Sequence, residues 1–524
     1  MKKALILLIT GLLLSGCQLM QRPDTPLLTD ECHPFSVALG KSIQQETHFD
    51  PAVTPFHHQQ PFYLYYRKDR FLDSFSLAEL SQAERAAWYE AMRHLGTDTL
   101  LTEAARLPSE QRSVLLTYLT GIPDRKITSL SDAIDHCSGR FAELAVTGFP
   151  SMDYQVPDSY STAQRVFGIY PLLSWLAQGS IEDYRQMMTE KVKGGRQQQF
   201  SRSTRYVYHP PQQTPSTTSD AASSPAPSLD TLSFDVIARW LAQARLSHPL
   251  AVPVLPDQQL EKLFQAFAPG LQTEYGSDAD LVGRVELKES RKAQREPVIN
   301  HEQPVLYYYP SYTRFADQVL LQLNYGFWFA GRPPQSGFDI YAGPLDGILW
   351  RVTLDAEGRP LVYDSIHQCG CYHKVYLPDG ITADMSAVEG EKPLAFAAGF
   401  ALQKPGGVTL KIESVTHYIV DVSTDGAGAA SRVQHPDAVR YELVPYQALL
   451  TLAADEHRRS LFGESGIVEH SSRTERWFLW PLGVPNAGAM RQRGLHAIAF
   501  IGKRHFDDPL LWQNLGIQTS AHAE

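Results

Sequence analysis

The sequence predicts an α+β protein: a helical N-terminal domain followed by an antiparallel β-rich C-terminal domain, arranged as a sandwich or open barrel. Three observations predict it. Apolar residues recur at helical spacing up to about residue 190, and with a period of two from about residue 300. Between these regimes lies "PPQQTPSTTSDAASSPAPSL", Pro210 to Leu229, which has too few apolar side chains to build a core. The implied division is a leader at 1–16, a tether at 17–30, a helical domain at 31–208 and a linker or disordered loop at 209–230. A short helical connection at 231–299 and the β-rich domain at 300–515 follow.

In "SLAELSQAERAAWYEAMRHLG" Ser76 and Glu79 have capping-box spacing, Leu77, Leu80, Trp88, Met92 and Leu95 form one stripe, and Gly96 is a plausible stop. "SEQRSVLLTYLTGIP" repeats the pattern with Ser109 as cap and Gly121 and Pro123 as terminators, and "SLSDAIDHCSGRFAEL" is a third helix. "STAQRVFGIYPLLSWLAQ" is a fourth, broken at Pro171, which lacks the N–H a helix interior needs. After the linker, "SFDVIARWLAQARL" and "PDQQLEKLFQAFAP" read as two more helices.

The strands are "PVLYYYPSY", "QVLLQLNYGFWF", "GILWRVTL", "PLVYDSIH", "VTLKIESVTHYIVDVS", "RWFLWPLG" and "HAIAFIGKRHF", each rich in aromatic or branched residues. One late helix is expected at "YQALLTLAADEHRRSLF". Gly358 supplies the positive φ that a short loop between "GILWRVTL" and "PLVYDSIH" requires. The aromatic run Tyr325, Phe327, Trp328 and Phe329, ahead of Gly-Arg-Pro-Pro, reads as core, with a ligand-facing wall as the alternative.

The N-terminus "MKKALILLITGLLLSGCQLMQ" has a charged start at Lys2 and Lys3, an apolar run from Ala4 to Leu14, and then Leu14-Ser15-Gly16-Cys17. This segment resembles the signal and lipobox of bacterial lipoproteins. The resemblance implies cleavage before Cys17, acylation of Cys17 and anchoring in a lipid bilayer, with Gln18 in place of an Asp favouring the outer membrane of a two-membrane cell. The net charge of −10 argues against a nucleic-acid partner, while 43% hydrophobic and 20% charged residues describe a folded chain. Once Cys17 is acylated, Cys32, Cys137, Cys369 and Cys371 remain. An oxidising compartment favours pairing them, and Cys32–Cys137 with Cys369–Cys371 keeps each pair within one segment.

The segment "YDSIHQCGCYHKVY" sets His367, Cys369, Cys371 and His373 at alternate positions, four side chains able to ligate a metal. In an extended strand the two histidines would lie about 20 Å apart, at roughly 3.3 Å per residue, too far for one ion. A four-ligand centre for Zn or Cu therefore requires the chain to fold back at Gly370. The alternatives are a Cys369–Cys371 disulfide, a cysteine nucleophile with a histidine base, and a packed turn. A second cluster spans Gly483 to Pro509: Arg491 and Arg493 could hold an anion, and His496, His505 and Asp507 could act as base or orienting groups. His301 and His417 read as surface or packed residues. GxSxG, HExxH, Walker and GxGxxG patterns do not occur. Two functions follow as expectations. One is metal-assisted hydrolysis in the cell envelope, with His505, Asp507 and His496 joining the His367–His373 segment. The other is a non-enzymatic envelope module that binds a protein or small ligand and uses its cysteines as staples.

Overall fold

The structure, a computed structural model, describes residues 30–53, 64–119, 127–144, 156–208, 232–289, 295–424, 437–454 and 457–519. The leader, Cys17, the tether up to residue 29, and the linker at 209–230 lie outside the described residues. Helix accounts for 35% and strand for 26%, with helices in the N-terminal half and a large, mixed, curled sheet in the C-terminal region, as the α+β class predicts. Among the described residues no helix is long and apolar enough to cross a membrane.

The chain divides into two compact units. The first comprises 1–48, 55–67 and 93–155. Its described part contains α1 (Cys32–Glu46), α2 (Gln82–Ala104) from Arg93 onward, α3 (Ser109–Leu116) and α4 (Leu130–Leu144). A Cys32–Cys137 disulfide joins α1 to α4, the pairing expected from segment proximity. Arg67 makes a two-pronged salt bridge to Glu103 at 2.8 and 2.7 Å, with both side chains buried. The α2 signals differ in detail from the sequence reading. The helix starts at Gln82 with reciprocal Ser81–Glu84 bonds, and it runs through Gly96 instead of stopping there. Gly96 is a packing position, since a Cβ there would stand 2.2 Å from the Tyr65 carbonyl oxygen.

The second unit comprises Phe49–Thr54, Lys68–Met92 and Val156–Glu524. Its last and longest stretch starts at Val156, so α5 (Tyr170–Gly195) and β1 (Ser203–Tyr208) belong with the sheet and not with the helical domain drawn at 31–208. Periodicity reveals an apolar stripe but not the body it packs on. Pro171 stands in the first turn of α5, where its missing N–H is harmless, and the short helix Thr162–Phe167 precedes the break. Two further helices, α6 (Phe234–Ser247, capped by Ser233) and α7 (Asp257–Ala266), form where expected. The connection at 231–299 is not purely helical, because it also supplies β2 (Gly270–Glu274), β3 (Val282–Glu289) and β4 (Arg295–Asn300).

The remaining labelled strands are β5 (Val305–Phe315), β6 (Gln318–Arg332), β7 (Gly343–Leu354), β8 (Pro360–His367), β9 (Lys374–Leu377), β10 (Ile381–Ala383), β11 (Leu394–Ala397), β12 (Thr409–Ile412), β13 (Ile419–Ser423) and β14 (Val439–Pro445). Among the described residues the large sheet has 13 strands, in the order β11-β9-β8-β7-β6-β5-β14-β1-β2-β12-β13, with β3 and β4 branching from β6. The run from β9 to β5 is antiparallel, as predicted, whereas β11/β9, β14/β5, β1/β14 and β12/β2 are parallel. Gly358 takes φ +75° in the β7–β8 loop.

Side chains alternate across this sheet. Trp350, Val352 and Tyr363 pack on one face with Phe327, Phe329 and α6–α7, so the aromatic run is core. Leu349, Val362 and Ile366 pack on the other face with the C-terminal residues Phe462, Phe506 and Trp512. That C-terminal segment departs from its predicted elements. The expected late helix is a 3-10 turn (Tyr446–Leu450) and a small pair, Leu452–Ala454 with His457–Arg459. "RWFLWPLG" is a short helical stretch ending at Gly483, with Pro481 unable to donate to a ladder. "HAIAFIGKRHF" is a tight excursion with an isolated Ala497–His505 bridge, its backbone groups bonded within the loop and to Tyr160. In the first and third of these segments most apolar residues are buried while the backbone finds partners outside a ladder, whereas "RWFLWPLG" leaves Trp477 and Phe478 exposed.

Replacing Cys32 and Cys137 together by Ser removes a cross-link across 105 residues and should destabilise the helical unit by roughly 3–5 kcal/mol. Thermal unfolding with and without reductant checks this: reductant should lower the wild-type midpoint and leave that of the double variant unchanged.

Candidate functional site

The "HQCGCYH" segment is the turn between β8 and β9, and it does fold back at Gly370. Gly370 has φ +93° and its amide donates to the His367 carbonyl at 2.7 Å, while His367 N–H donates to the Cys371 carbonyl at 3.0 Å. A Cβ on Gly370 would also lie 2.4 Å from the Ala497 carbonyl oxygen, so only glycine suits the position on both counts. Tyr372 is itself left-handed, at φ +64°.

Folding back does not assemble a four-ligand box, because the two histidines leave the hairpin on opposite faces. His367 shares its parity with Tyr363 and its Nδ1 lies 3.4 Å from Asp346 Oδ1. His373 turns to Asp364 of the other parity, with Nε2 3.0 Å from Oδ2. Each aspartate is a hub. Asp364 also receives a two-pronged bond from Arg351 at 2.9 and 2.7 Å, and Arg351 lies 3.6 Å over the Phe506 ring. Asp346 is fully buried and serves His367, His417 Nδ1 at 2.9 Å and Arg473 at 3.5 Å. His417, a packed residue as expected, is stacked 3.9 Å from Phe329 and has Asp280 3.3 Å from its Nε2. Burial alone would raise the Asp346 pKa, but Arg473 and His367 hold it well below the usual carboxylate range.

Cys369 and Cys371 are free thiols, Cys369 buried and Cys371 partly buried. The Cys371 thiol is pushed well up by its hydrogen bond to Cys369 and by burial, which opposes a resting thiolate nucleophile. Among the described residues no group of three or more His, Cys, Asp or Glu side chains is set to hold a metal ion. The donors named for Zn or Cu thus do not fit one centre: the two histidine rings are engaged by separate aspartates on separate faces.

The second cluster is also dispersed. His496 is buried beside the backbone of Gln368 and Arg491, and burial, reinforced by Arg491, depresses its pKa to about 3. His505 is 3.3 Å from Asp158 and 3.6 Å from Asp508, and it accepts the Ser159 N–H. Asp507 pairs with Arg70 at 3.3 Å. Arg491 spends its donors on the carbonyls of Cys369, Pro485 and Asn486, bracing the turn, while Arg493 stacks over Tyr309 and Tyr446. Neither arginine is placed as an open anion receptor.

What the turn borders instead is a cavity of about 720 Å³ within the second unit. Cys371, Tyr372 and His373 line it on the sheet side. Tyr184 and the apolar residues Leu176, Ile181 and Met187 line it from α5, and Leu394, Leu482 and Phe500 complete its apolar wall. Its polar lining comprises Arg332, Tyr418 and Glu475 together with Arg185, Lys191, Glu391 and Lys392. Arg332 is 8% exposed, and its Nε and Nη1 have no hydrogen-bond partner among the described residues; the guanidinium lies 5.2 Å from the Tyr341 ring centre. The buried Tyr184 hydroxyl is likewise without a partner there. Burial raises the Glu475 pKa to about 7 against the pull of Arg473 and Arg332.

Arg332 and Glu475 are the functional candidates that sequence reasoning missed. Arg332 ends the aromatic β6 strand in "FAGRPP", and a cation after such a run was its one visible signal. No protein family, curated protein or solved structure matches this chain.

Burial lowers the His367 pKa to about 4 and the His496 pKa to about 3, so both are neutral when folded and take up protons on unfolding below about pH 6.5. Their stabilising contribution is complete above that pH and is lost as pH falls toward 4. His496→Asn should reduce this acid sensitivity by up to about 1.4 kcal/mol per pH unit. Denaturant titrations at pH 4.5, 5.5 and 6.5 read it, and an unchanged slope would contradict the assignment.

Proposed function

We propose that this chain is a lipid-anchored envelope protein, held through acylated Cys17, that binds a small amphiphile with an anionic head in the cavity over the Cys369–His373 turn. The observation that carries the reading is Arg332: a guanidinium buried in the cavity wall whose Nε and Nη1 have no acceptor among the described residues. A buried cation with unsatisfied donors is costly unless an anion completes it. A carboxylate or phosphate fits the planar fork, and the leucine-, isoleucine- and methionine-lined α5 side suits an apolar chain. This binding role is preferred to metal-assisted hydrolysis because His367 and His373 leave the turn on opposite faces of the sheet and so do not converge on one ion.

Dodecanoate and dodecanol are suitable probes, since they share a chain and differ in charge. Isothermal titration should show dodecanoate binding, and Arg332→Gln should weaken it roughly 10- to 100-fold, the loss of a charge-assisted bond worth about 1.5–3 kcal/mol. Dodecanol binding should change little. Equal loss for both probes, or no dodecanoate binding to the wild type, would refute the anion-receptor role.

The Glu475 carboxyl sets a pH dependence. Below pH 7 it is neutral and leaves Arg332 free for the ligand; above pH 7 it ionises and competes for the same cation. Dodecanoate affinity should therefore fall between pH 6 and pH 8, and Glu475→Gln should flatten the profile.

A further inference from the structure

Outside the cavity, the start of α5 and the Arg476–Leu482 segment form one apolar face. Ser161 N–H donates to the Gly483 carbonyl at 2.8 Å and Arg165 Nε to the Leu482 carbonyl at 3.0 Å. Gly168 sits so close to Pro481 that a Cβ would come within 2.4 Å of its side chain. These contacts bring together side chains that the protein leaves uncovered: Phe167 is 80% exposed, Trp175 65%, Trp477 66% and Phe478 57%, with Ile169 and Leu172 beside them. The face continues inward, because Leu176 and Leu482 also line the cavity.

We infer that this face seats in the surface of a phospholipid bilayer. Its composition fits that occupant. No Asp, Glu, Lys, Arg or His occurs from Val166 to Ile181 or from Trp477 to Met490, and Trp175, Trp477 and Trp480 are the side chain type that settles at a membrane–water boundary. Arg476 closes the second uncharged stretch and lies 4.7 Å over Trp477, where a cation meets headgroup phosphate while its partner ring enters the chains. A large exposed apolar patch on a water-facing protein signals such a contact. The lipobox adds a constraint. Residues between Cys17 and Asp30, fully extended, reach roughly 45 Å at about 3.5 Å per residue, so acylation would hold Asp30 within that distance of the lipid and the attached chain near a bilayer. Tethering rests on the lipid-anchor part of the proposed function, whereas the exposed face stands on its own geometry.

The test uses the complete chain purified from membranes and mixed with phosphatidylcholine–phosphatidylglycerol vesicles whose acyl chains carry bromine, a short-range quencher of tryptophan. Seated in the bilayer, the wild type loses emission relative to unbrominated vesicles, and Trp175→Phe/Trp477→Phe/Trp480→Phe loses that quenching while keeping its fold by circular dichroism. Quenching that is absent, or equal in the triple variant, would overturn the inference. Flotation separates the anchor from the face: a triple variant that still floats is held by Cys17. If the wild type floats and is quenched but the triple variant stays behind, the face is supported and the anchor is not. A face that instead binds another protein leaves the wild type unquenched.

Discussion

The pairing of buried charge at Asp364 is the interaction on which the rest of the site depends. Its carboxylate lies with no solvent exposure between the Arg351 guanidinium and the His373 ring, and Arg351 in turn donates to the Phe506 carbonyl. Removing one partner from such a set leaves a desolvated charge, a much larger penalty than an apolar replacement of the whole group. Asp346 does the equivalent work on the opposite face for His367, His417 and Arg473. Together the two aspartates clamp both ends of the β8–β9 turn, so the Cys369-Gly370-Cys371 tip has one position relative to the sheet.

That position places Cys371, Tyr372 and His373 at the sheet side of a cavity that α5 covers. The cavity is mixed in chemistry. Arg332, Tyr418 and Glu475 line it together, while the α5 side presents Leu176, Ile181 and Met187 alongside Arg185 and Lys191. Arg332 Nε and Nη1 lack an acceptor among the described residues, Tyr418 meets the same guanidinium, and burial pushes the Glu475 carboxyl up to about 7. The aromatic face beside the cavity keeps Phe167, Trp175, Trp477 and Phe478 exposed, an arrangement that is costly in water.

Much of this was legible in the sequence. The antiparallel run β5–β9 follows from alternation and turn chemistry, down to the positive φ at Gly358 and the need for Gly370 to reverse the chain. The burial of Tyr325, Phe327, Trp328 and Phe329 follows from their composition. Less legible were the elements whose apolar residues are buried without a ladder or a long helix, such as "HAIAFIGKRHF" and "YQALLTLAADEHRRSLF", since hydrophobic period reports which side chains go inside and not where backbone donors find acceptors. The site residues were least legible. Arg491 looked like an anion receptor and is spent on three carbonyls, whereas Arg332, 159 positions earlier (491 − 332), holds the unmatched donors.

The sequence by itself determined the class of fold, the glycine that permits a reversal at position 370 and the presence of two histidines and two thiols around it, because these depend on local period, local backbone freedom and residue type. Tertiary structure decided what those groups face. His367 and His373 are six positions apart in the chain (373 − 367) yet separated by the sheet, each captured by an aspartate whose own place is set by strand register. Side-chain alternation across a pleated sheet sends them to opposite faces, and which carboxylate waits on each face is decided by the register of the neighbouring strands β7, β8 and β9.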